Sequence, residues 1–472
     1  MADLPQEFVQ RMAPLLGDEL AAFLSAMASD RVRGARVNSA KIDPAALGPL
    51  LGVDLQAVPW CPAGFVLPPS AVLGGHPAHV AGLFYLQEPS AMSVAEALAP
   101  PHGARVVDLA AAPGGKTTHL ASLVAPDGLV LAVDSDSGRL GSLHESLDMW
   151  GAHNVVTMRA PMERLAETGV ELFDAAVLDA PCSGEALFRR NLGAVREWSP
   201  AIVRGCAKRQ SRILARAADL LRPGGVLVYS TCTFEVAENE DQLAAFLSGQ
   251  PDWQLDQLWV PGGASAGVAV DRAPTQRAAR LWPHRVEGDG QFVARLRRGD
   301  TSPPAVAGRR ARRPATVEEP QLRAGWSQFR DSNVPGLAVP GDRLLLREDR
   351  AFLLPEQSLG VDTGLLARPG LPLGQQRPGR FEPAPALATA LTPEQAGESI
   401  SWSDDDPRLR TYLRGETVPS PGPDGWVLVC FERWPLAWAR RRSGVLKNIV
   451  PGHVRARVTR GARRAEAGRS SQ

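Results

Sequence analysis

The chain has 472 residues, with 52 Lys and Arg against 51 Asp and Glu for a net charge of +1; this exceeds one ordinary core, and two to four domains are expected. No apolar run reaches about 18 residues and no signal peptide is recognisable, so the chain is read as soluble and cytoplasmic; it is expected to be a monomer. The five cysteines, at 61, 182, 206, 232 and 430, show no C-x-x-C pairing and no neighbouring histidine spacing, so neither a zinc site nor a disulfide framework is indicated.

From Leu4 and Pro5 the pattern predicts a helix with Phe8, Val9, Met12, Leu15 and Leu16 on one face, continued by Leu20, Phe23, Leu24 and Met27. Residues 33–42 open a segment of strands and turns, rich in Pro and Gly between Pro59 and Pro77. Residues 1–80 are therefore read as a helical and mixed N-terminal module. A helix over 93–98 precedes a strand over 105–109, the loop Ala110-Ala111-Ala112-Pro113-Gly114-Gly115-Lys116, a helix over 117–124 and a strand ending in Asp134. Small residues let backbone approach a ligand at a helix N-terminus, and an acid at the tip of the next strand accepts both hydroxyls of a ribose. The G-x-G-x-x-G spacing that seats a pyrophosphate is absent, so S-adenosylmethionine, with a ribose and no phosphate, fits this loop better than a dinucleotide.

A helix with Leu140, Leu143, Leu147 and Trp150 inward and a strand over 155–158 follow. The apolar run 173–178 then enters Asp179-Ala180-Pro181-Cys182, and a helix over 205–221 leads to a strand over 225–234 that carries Ser230-Thr231-Cys232-Thr233. Strands alternating with helices over roughly 150 residues predict a doubly wound parallel α/β sheet, Rossmann-like in kind. Ligands of such sheets sit outside the carboxyl ends of the strands, where both Cys182 and Cys232 fall. One such thiol alone reads as a small core residue; two beside Asp179 read as a nucleophile and its helper. The residues alone leave open which is the nucleophile.

Beyond Cys232, a helix starts near Glu238, and residues 280–284 and 290–296 predict closing antiparallel strands. Residues 299–318, rich in Pro and Arg without apolar period, predict a basic linker. The rest, broken into short apolar runs, predicts mixed β structure. Five of the eleven tryptophans lie after residue 320 beside arginines, a combination suited to stacking on nucleic-acid bases or to a β core. From Arg440 onward ten basic residues face one acid, Glu466, which suits a phosphate backbone. Only four lysines occur, at 41, 116, 208 and 447; a lysine kept where arginine is otherwise preferred suggests a site that needs a compact ammonium.

Asp108 through Lys116, Asp179-Ala-Pro-Cys-Ser-Gly-Glu185, and Tyr229-Ser-Thr-Cys-Thr-Phe234 with Glu238-Asn-Glu240, in this order and spacing, closely resemble the Nop/Sun family of RNA 5-methylcytosine methyltransferases. Tyr85-Leu-Gln-Glu88 and Trp282-Pro-His284 extend the likeness over residues 4–297. Tyr412-Leu-Arg-Gly-Glu416, Trp434-Pro-Leu-Ala-Trp438 and Leu446-Lys-Asn448 through Pro451 resemble the bacterial branch acting on small-subunit ribosomal RNA. The resemblance implies a class I methyltransferase domain over 81–298, a first C-terminal domain over 319–390, a PUA-like RNA-binding domain over 391–460 and a basic tail over 461–472. It implies S-adenosylmethionine as cofactor, contacted by residues 110–116, Asp134 and Asp179, and RNA, 16S rRNA or the small subunit, as partner. It assigns the covalent bond to carbon 6 of cytosine to Cys232, release of the base to Cys182, and a place near ring nitrogen 3 to Asp179. Two departures stand out: Ala186 replaces the family's glycine, and Met158-Arg159-Ala160-Pro161 lacks the acid that holds the adenine side.

Overall fold

The apolar runs that end in Asp108, Asp134, Asp179 and the Cys232 turn line up side by side in the computed structural model, which describes residues 4–168, 170, 172–258, 260–270, 273–300 and 320–469. Five parallel strands stand in the order Leu221–Thr231, Phe173–Asp179, Arg105–Asp108, Leu129–Asp134, Val155–Arg159. The chain lays its first strand in the middle, builds outward to Val155–Arg159, then crosses back to Phe173–Asp179. The switch point thus falls between Arg105–Asp108 and Phe173–Asp179, the place where open α/β sheets bind ligands. Gln291–Arg298 closes one side antiparallel to the Cys232 strand, with Phe292 opposite Thr231.

Alternation along each strand sends side chains into two separate layers. Val107, Leu131, Val133, Leu178, Leu227 and Tyr229 pack on one face with the helix Pro200–Ala218. Val106, Val130, Ala132, Val177 and Val228 pack on the other with the helices Pro89–Leu98 and Gly115–Val124. Burial on both faces is why these strands read as continuous apolar runs.

The helix Pro200–Ala218 begins five residues before its expected start, because Ser199 caps it by accepting from the Ile202 amide and Pro200 supplies a preset first-turn φ. The Cys232 strand stops at Thr231, short of the expected Phe234. Asn239 causes the stop: its side chain accepts from the Thr231 hydroxyl and donates to the Thr233 carbonyl, so the chain turns at the cysteine.

In the N-terminal module, Phe8 and Phe23 of the helices Gln6–Leu16 and Leu20–Ala28 meet the two cysteine-bearing loops. Phe8 lies edge-on to Phe188, which follows Cys182, at 5.2 Å, and Phe23 edge-on to Phe234, which follows Cys232, at 5.2 Å. Trp282 stacks on Phe234 at 5.1 Å. This aromatic cluster clamps both loops from outside the sheet.

After the expected linker, of which 301–318 lie outside the described residues, the chain builds a four-stranded sheet from Leu344–Arg347 to Arg380–Pro383 and a five-stranded sheet around Gly425–Phe431 and Trp434–Arg442. A short strand, Leu366–Arg368, joins the edge of the methyltransferase-type sheet beside Val155–Arg159. Three of the late tryptophans, Trp326, Trp402 and Trp438, are buried core side chains, so they are not available for base stacking. The C-terminal sheet shares one core with the N-terminal module, in which Ala35, Val37 and Phe84 pack with Tyr412, Phe431 and Leu446. The two ends of the chain therefore meet. The residues expected to begin a tail at 461 continue, in backbone, the helix Gly452–Arg469. Among the described residues no helix is long and apolar enough to cross a membrane.

Candidate active site

The carboxyl ends of adjacent strands place the sulfurs of Cys182 and Cys232 3.4 Å apart. The loops that carry them are tied backbone to backbone: the Ala180 amide donates to the Ser230 carbonyl at 2.8 Å and the Ala186 amide to the Cys232 carbonyl at 3.0 Å. Side chains reinforce the tie. The Ser183 and Thr233 hydroxyls bond each other at 2.8 Å. Glu185, fully buried, accepts from the Trp198 indole and from the Phe234 amide. Glu238 accepts from the Ser183 amide and from Gln210, whose amide also donates to the Pro181 carbonyl.

These surroundings shape the acid–base character of the site. The hydrogen bond to Cys232, together with burial, raises the Cys182 thiol well above its usual range. Cys182 is therefore held toward its protonated form, within hydrogen-bonding reach of the other sulfur. Burial pushes Glu185 up to about 8, helped by nearby Glu235; Arg11 of the N-terminal helix pairs with that Glu235 through both of its carboxylate oxygens.

Asp179 holds three partners. Lys116 donates to it at 2.7 Å, the Ser230 hydroxyl at 2.8 Å and the Gln291 side chain at 3.2 Å. Burial opposes the charge on Lys116, but Asp179, Asp108 and Cys232 outweigh it, and its pKa is raised. A fixed ammonium thus stands beside the thiol pair, where it favours a thiolate. The retained lysine singled out in the sequence has this partner.

On the other side of the switch point, the small-residue loop wraps the start of the helix Gly115–Val124. Gly114 sits at φ +110 with its α-carbon against Ser146, where a Cβ would come within 2.9 Å of the Ser146 Cβ, so glycine is required. Asp108, fully buried and pushed up to about 6 by that burial, accepts from the Thr117 hydroxyl at 2.7 Å and pins the helix to the first strand. Pro113 is exposed and its carbonyl accepts from Ser146, while Ala111 and Ala112 are buried.

Asp134 lies at the tip of its strand. Its Oδ1 accepts from the Asp136 amide at 3.0 Å and its Oδ2 from the Ala112 amide at 3.3 Å. A carboxylate oxygen has two acceptor positions, so each oxygen retains one, and a pair of vicinal hydroxyls matches that remainder. With alanines and glycines on the approach and a helix N-terminus beneath, the donor and acceptor set fits an adenosyl group. Arg139, which no spacing in the sequence announced, lies 3.6 Å from Asp134 and donates to the Ala112 carbonyl at 2.6 Å. Opposite Asp134 in the register stands Arg159, exposed, in place of the missing acid.

Sequence reasoning also missed Gln291 and Gln210, which orient the predicted residues and lie far from them along the chain, and it gave the motif residue Glu185 no role. It missed another cluster as well: ligand-type atoms of Cys61 and of Glu96 and His119, on the helices Pro89–Leu98 and Gly115–Val124, lie within 4.8 Å of one another. Burial pushes that cysteine up to about 12 and that histidine down to about 4.

Three family models match this chain: 16S rRNA methyltransferase RsmB/F over residues 95–297, the N-terminal domain of 16S rRNA methyltransferase RsmF over 4–89, and the methyltransferase RsmF PUA domain over 401–456. Among curated relatives, ribosomal RNA small subunit methyltransferase F of Erwinia tasmaniensis is 30% identical over 481 residues, covering 95% of this chain and 96% of its own. The protein of the same name from Shewanella sp. strain MR-4 is 30% identical, covering 96% and 97%. Among solved structures, a methyltransferase homologue from Pyrococcus horikoshii is 34% identical with a TM-score of 0.55, covering 62% of this chain and 95% of its own. NSun6 from the same organism, at 22% identity and a TM-score of 0.53 over 62% of this chain and 98% of its own, shares the fold.

Proposed function

This chain belongs to the RsmF branch of the RsmB/F family of 16S rRNA methyltransferases, and from that membership we propose that it methylates carbon 5 of cytosine in 16S rRNA through a covalent cysteine adduct. Family membership carries with it a class I methyltransferase domain dependent on S-adenosylmethionine, which supplies the methyl group. Residues 110–116 and Asp134 would hold that cofactor, with Asp134 taking the ribose hydroxyls.

Carbon 5 of cytosine is a poor nucleophile, so a sulfur must first add at carbon 6 and make the ring enamine-like. Cys232 is that sulfur. Its thiolate forms the bond to carbon 6 while the π pair moves toward the ring nitrogen, and Asp179, oriented by Lys116, Ser230 and Gln291, favours a proton at nitrogen 3. Carbon 5 then takes the methyl group, and Cys182 assists release: its thiolate accepts the proton from carbon 5, the electron pair of that C–H bond restores the ring double bond, and the bond to carbon 6 breaks with Cys232 leaving as thiolate.

The observation that supports this reading is the pair of sulfurs 3.4 Å apart, with their hydrogen bond and burial raising the pKa of Cys182. A thiol whose pKa is raised is a weak first nucleophile, and its thiolate, once formed, is a strong base for the proton on carbon 5. The enzyme acts as a cytoplasmic monomer, with the PUA-like region over 391–460 as an RNA-binding unit. Bisulfite sequencing of ribosomal and transfer RNA from a strain lacking the protein tests the reading: a lost 5-methylcytosine in 16S rRNA is expected. An unchanged 16S pattern, or a loss confined to transfer RNA, contradicts it.

A further inference from the structure

We propose that the arginine-lined groove formed where the two ends of the chain meet carries the sugar–phosphate backbone of the substrate RNA past the thiol pair. The proposal rests on the reading of the chain as an RNA methyltransferase and names a surface which that reading leaves unassigned. The groove encloses about 500 Å³, and its walls carry Arg31 and Arg33 from the N-terminal module, Arg190 from the segment after Cys182, and Arg457 and Arg460 from the helix Gly452–Arg469. The one carboxylate in this lining, Glu88, is spent: it accepts from the Ser90, Ala91 and Asp289 amides and from the Ser90 hydroxyl.

Five guanidiniums around so small a space repel one another unless a polyanion joins them. Arg31 and Arg460 are exposed, and among the described residues neither pairs with a carboxylate. Among the described residues, Arg457 donates only to the Met149 sulfur, at 3.5 Å. Arg190 is exposed and lies 3.9 Å from Asp289, a carboxylate already paired with Arg189 at 3.1 Å. Guanidinium groups with donors to spare match phosphate oxygens in geometry as well as in charge.

Two further features favour a strand of RNA over a small phosphorylated ligand. The groove runs into a second, larger one of about 1290 Å³, with Arg31, Arg33 and Arg190 common to both; the larger one also carries Asp30, Asp54 and Glu287 and the paired Arg189 and Arg285, so the basic character is concentrated in the shared stretch. Its Arg190 wall is also continuous with the catalytic loop: the turn Glu185–Arg189 precedes Arg190, and within it the Ala186 amide bonds to the Cys232 carbonyl. The C-terminal helix is fitted closely here, since a Cβ on Gly75 would lie 3.0 Å from the Val458 Cα. The track is thus composite, built by both chain ends outside the PUA-like sheet.

The test uses the full-length protein and transcribed 16S rRNA in filter binding from about 50 to about 200 mM salt, a range over which phosphate contacts dominate affinity. Arg31→Ala/Arg460→Ala is expected to weaken RNA binding about tenfold and to flatten the log–log salt slope by about 1.4 to 1.8, two phosphates' worth. Arg31→Lys/Arg460→Lys is expected to restore the slope, and affinity for S-adenosylmethionine should not move. Wild-type slope and affinity in the alanine variant, with intact methylation, overturn the groove. A slope lost in the variant, with no cytosine methylated by the wild type, upholds the groove and overturns the catalytic reading instead.

Discussion

At the thiol end of the cleft, Asp179, Lys116, Ser230 and Gln291 converge from three strands and a helix start, and Glu185 and Glu238 lock the two cysteine loops from behind. At the end proposed to hold the ribose, a single carboxylate, Asp134, is oriented by two backbone amides and shadowed by the half-exposed Arg139. The contrast follows from what each end must do. Proton positions and a nucleophile's angle require side chains fixed by second partners, whereas recognition of a ribose requires a shaped backbone and spare acceptor positions.

The largest effect that would sharpen this contrast lies at Lys116. Lys116→Met should lower kcat on the order of a hundredfold, as loss of one fixed charge at a reacting centre does, and should raise KM for S-adenosylmethionine by less, through its place at the end of the loop proposed to hold the cofactor. A change confined to KM would erase the division between the two ends. Asp134→Asn should do the reverse. It should weaken S-adenosylmethionine by roughly ten- to a hundredfold, the worth of one charged hydrogen bond of about 1.5–3 kcal/mol, as read by calorimetric titration, with kcat at saturation near wild type. Unchanged affinity would remove the ribose assignment.

The smallest expected effect is on stability and concerns the helix under the cofactor loop. His119 is fully buried and burial pushes it down to about 4, against about 6.5 in an unfolded chain. A base whose folded pKa is depressed gives stability that is present above about pH 6.5 and lost as pH falls toward 4, because only the unfolded chain takes the proton. Asp108 and Glu185, with values raised by burial, work in the opposite direction over this interval, so the readout is the difference between proteins: relative to His119→Gln, wild type should lose on the order of a few degrees of Tm as pH falls from about 6.5 to about 4. His79, pushed down to about 3 by its own burial, adds to the same trend and will keep the variant's profile from becoming flat.

The sequence displayed the parts of the site that are local. Apolar strands ending in Asp134, Asp179 and Cys232 are readable because burial on both faces leaves an uninterrupted run followed by a polar break. The loop 110–116 is readable because small residues have few other uses before a helix. The supporting contacts were hidden because they join distant segments: Gln291 reaches Asp179 across 112 positions, and Arg11 reaches Glu235 across 224. The late tryptophans show the converse limit. A Trp beside an Arg reads the same whether it faces RNA or a core, and packing alone put Trp326, Trp402 and Trp438 inside. The strand Leu366–Arg368 is too short to carry a period, and only its pairing with Val155–Arg159 reveals it.

The most direct test of the central claim, that Cys232 attacks and Cys182 releases, is covalent trapping on RNA containing 5-azacytosine or 5-fluorocytosine, read as a mobility-shifted complex in denaturing gels. Wild type should form the adduct and Cys232→Ala should form none, while Cys182→Ala should accumulate an adduct even with ordinary RNA. An adduct retained by Cys232→Ala and abolished in Cys182→Ala would reverse the two roles and contradict the account.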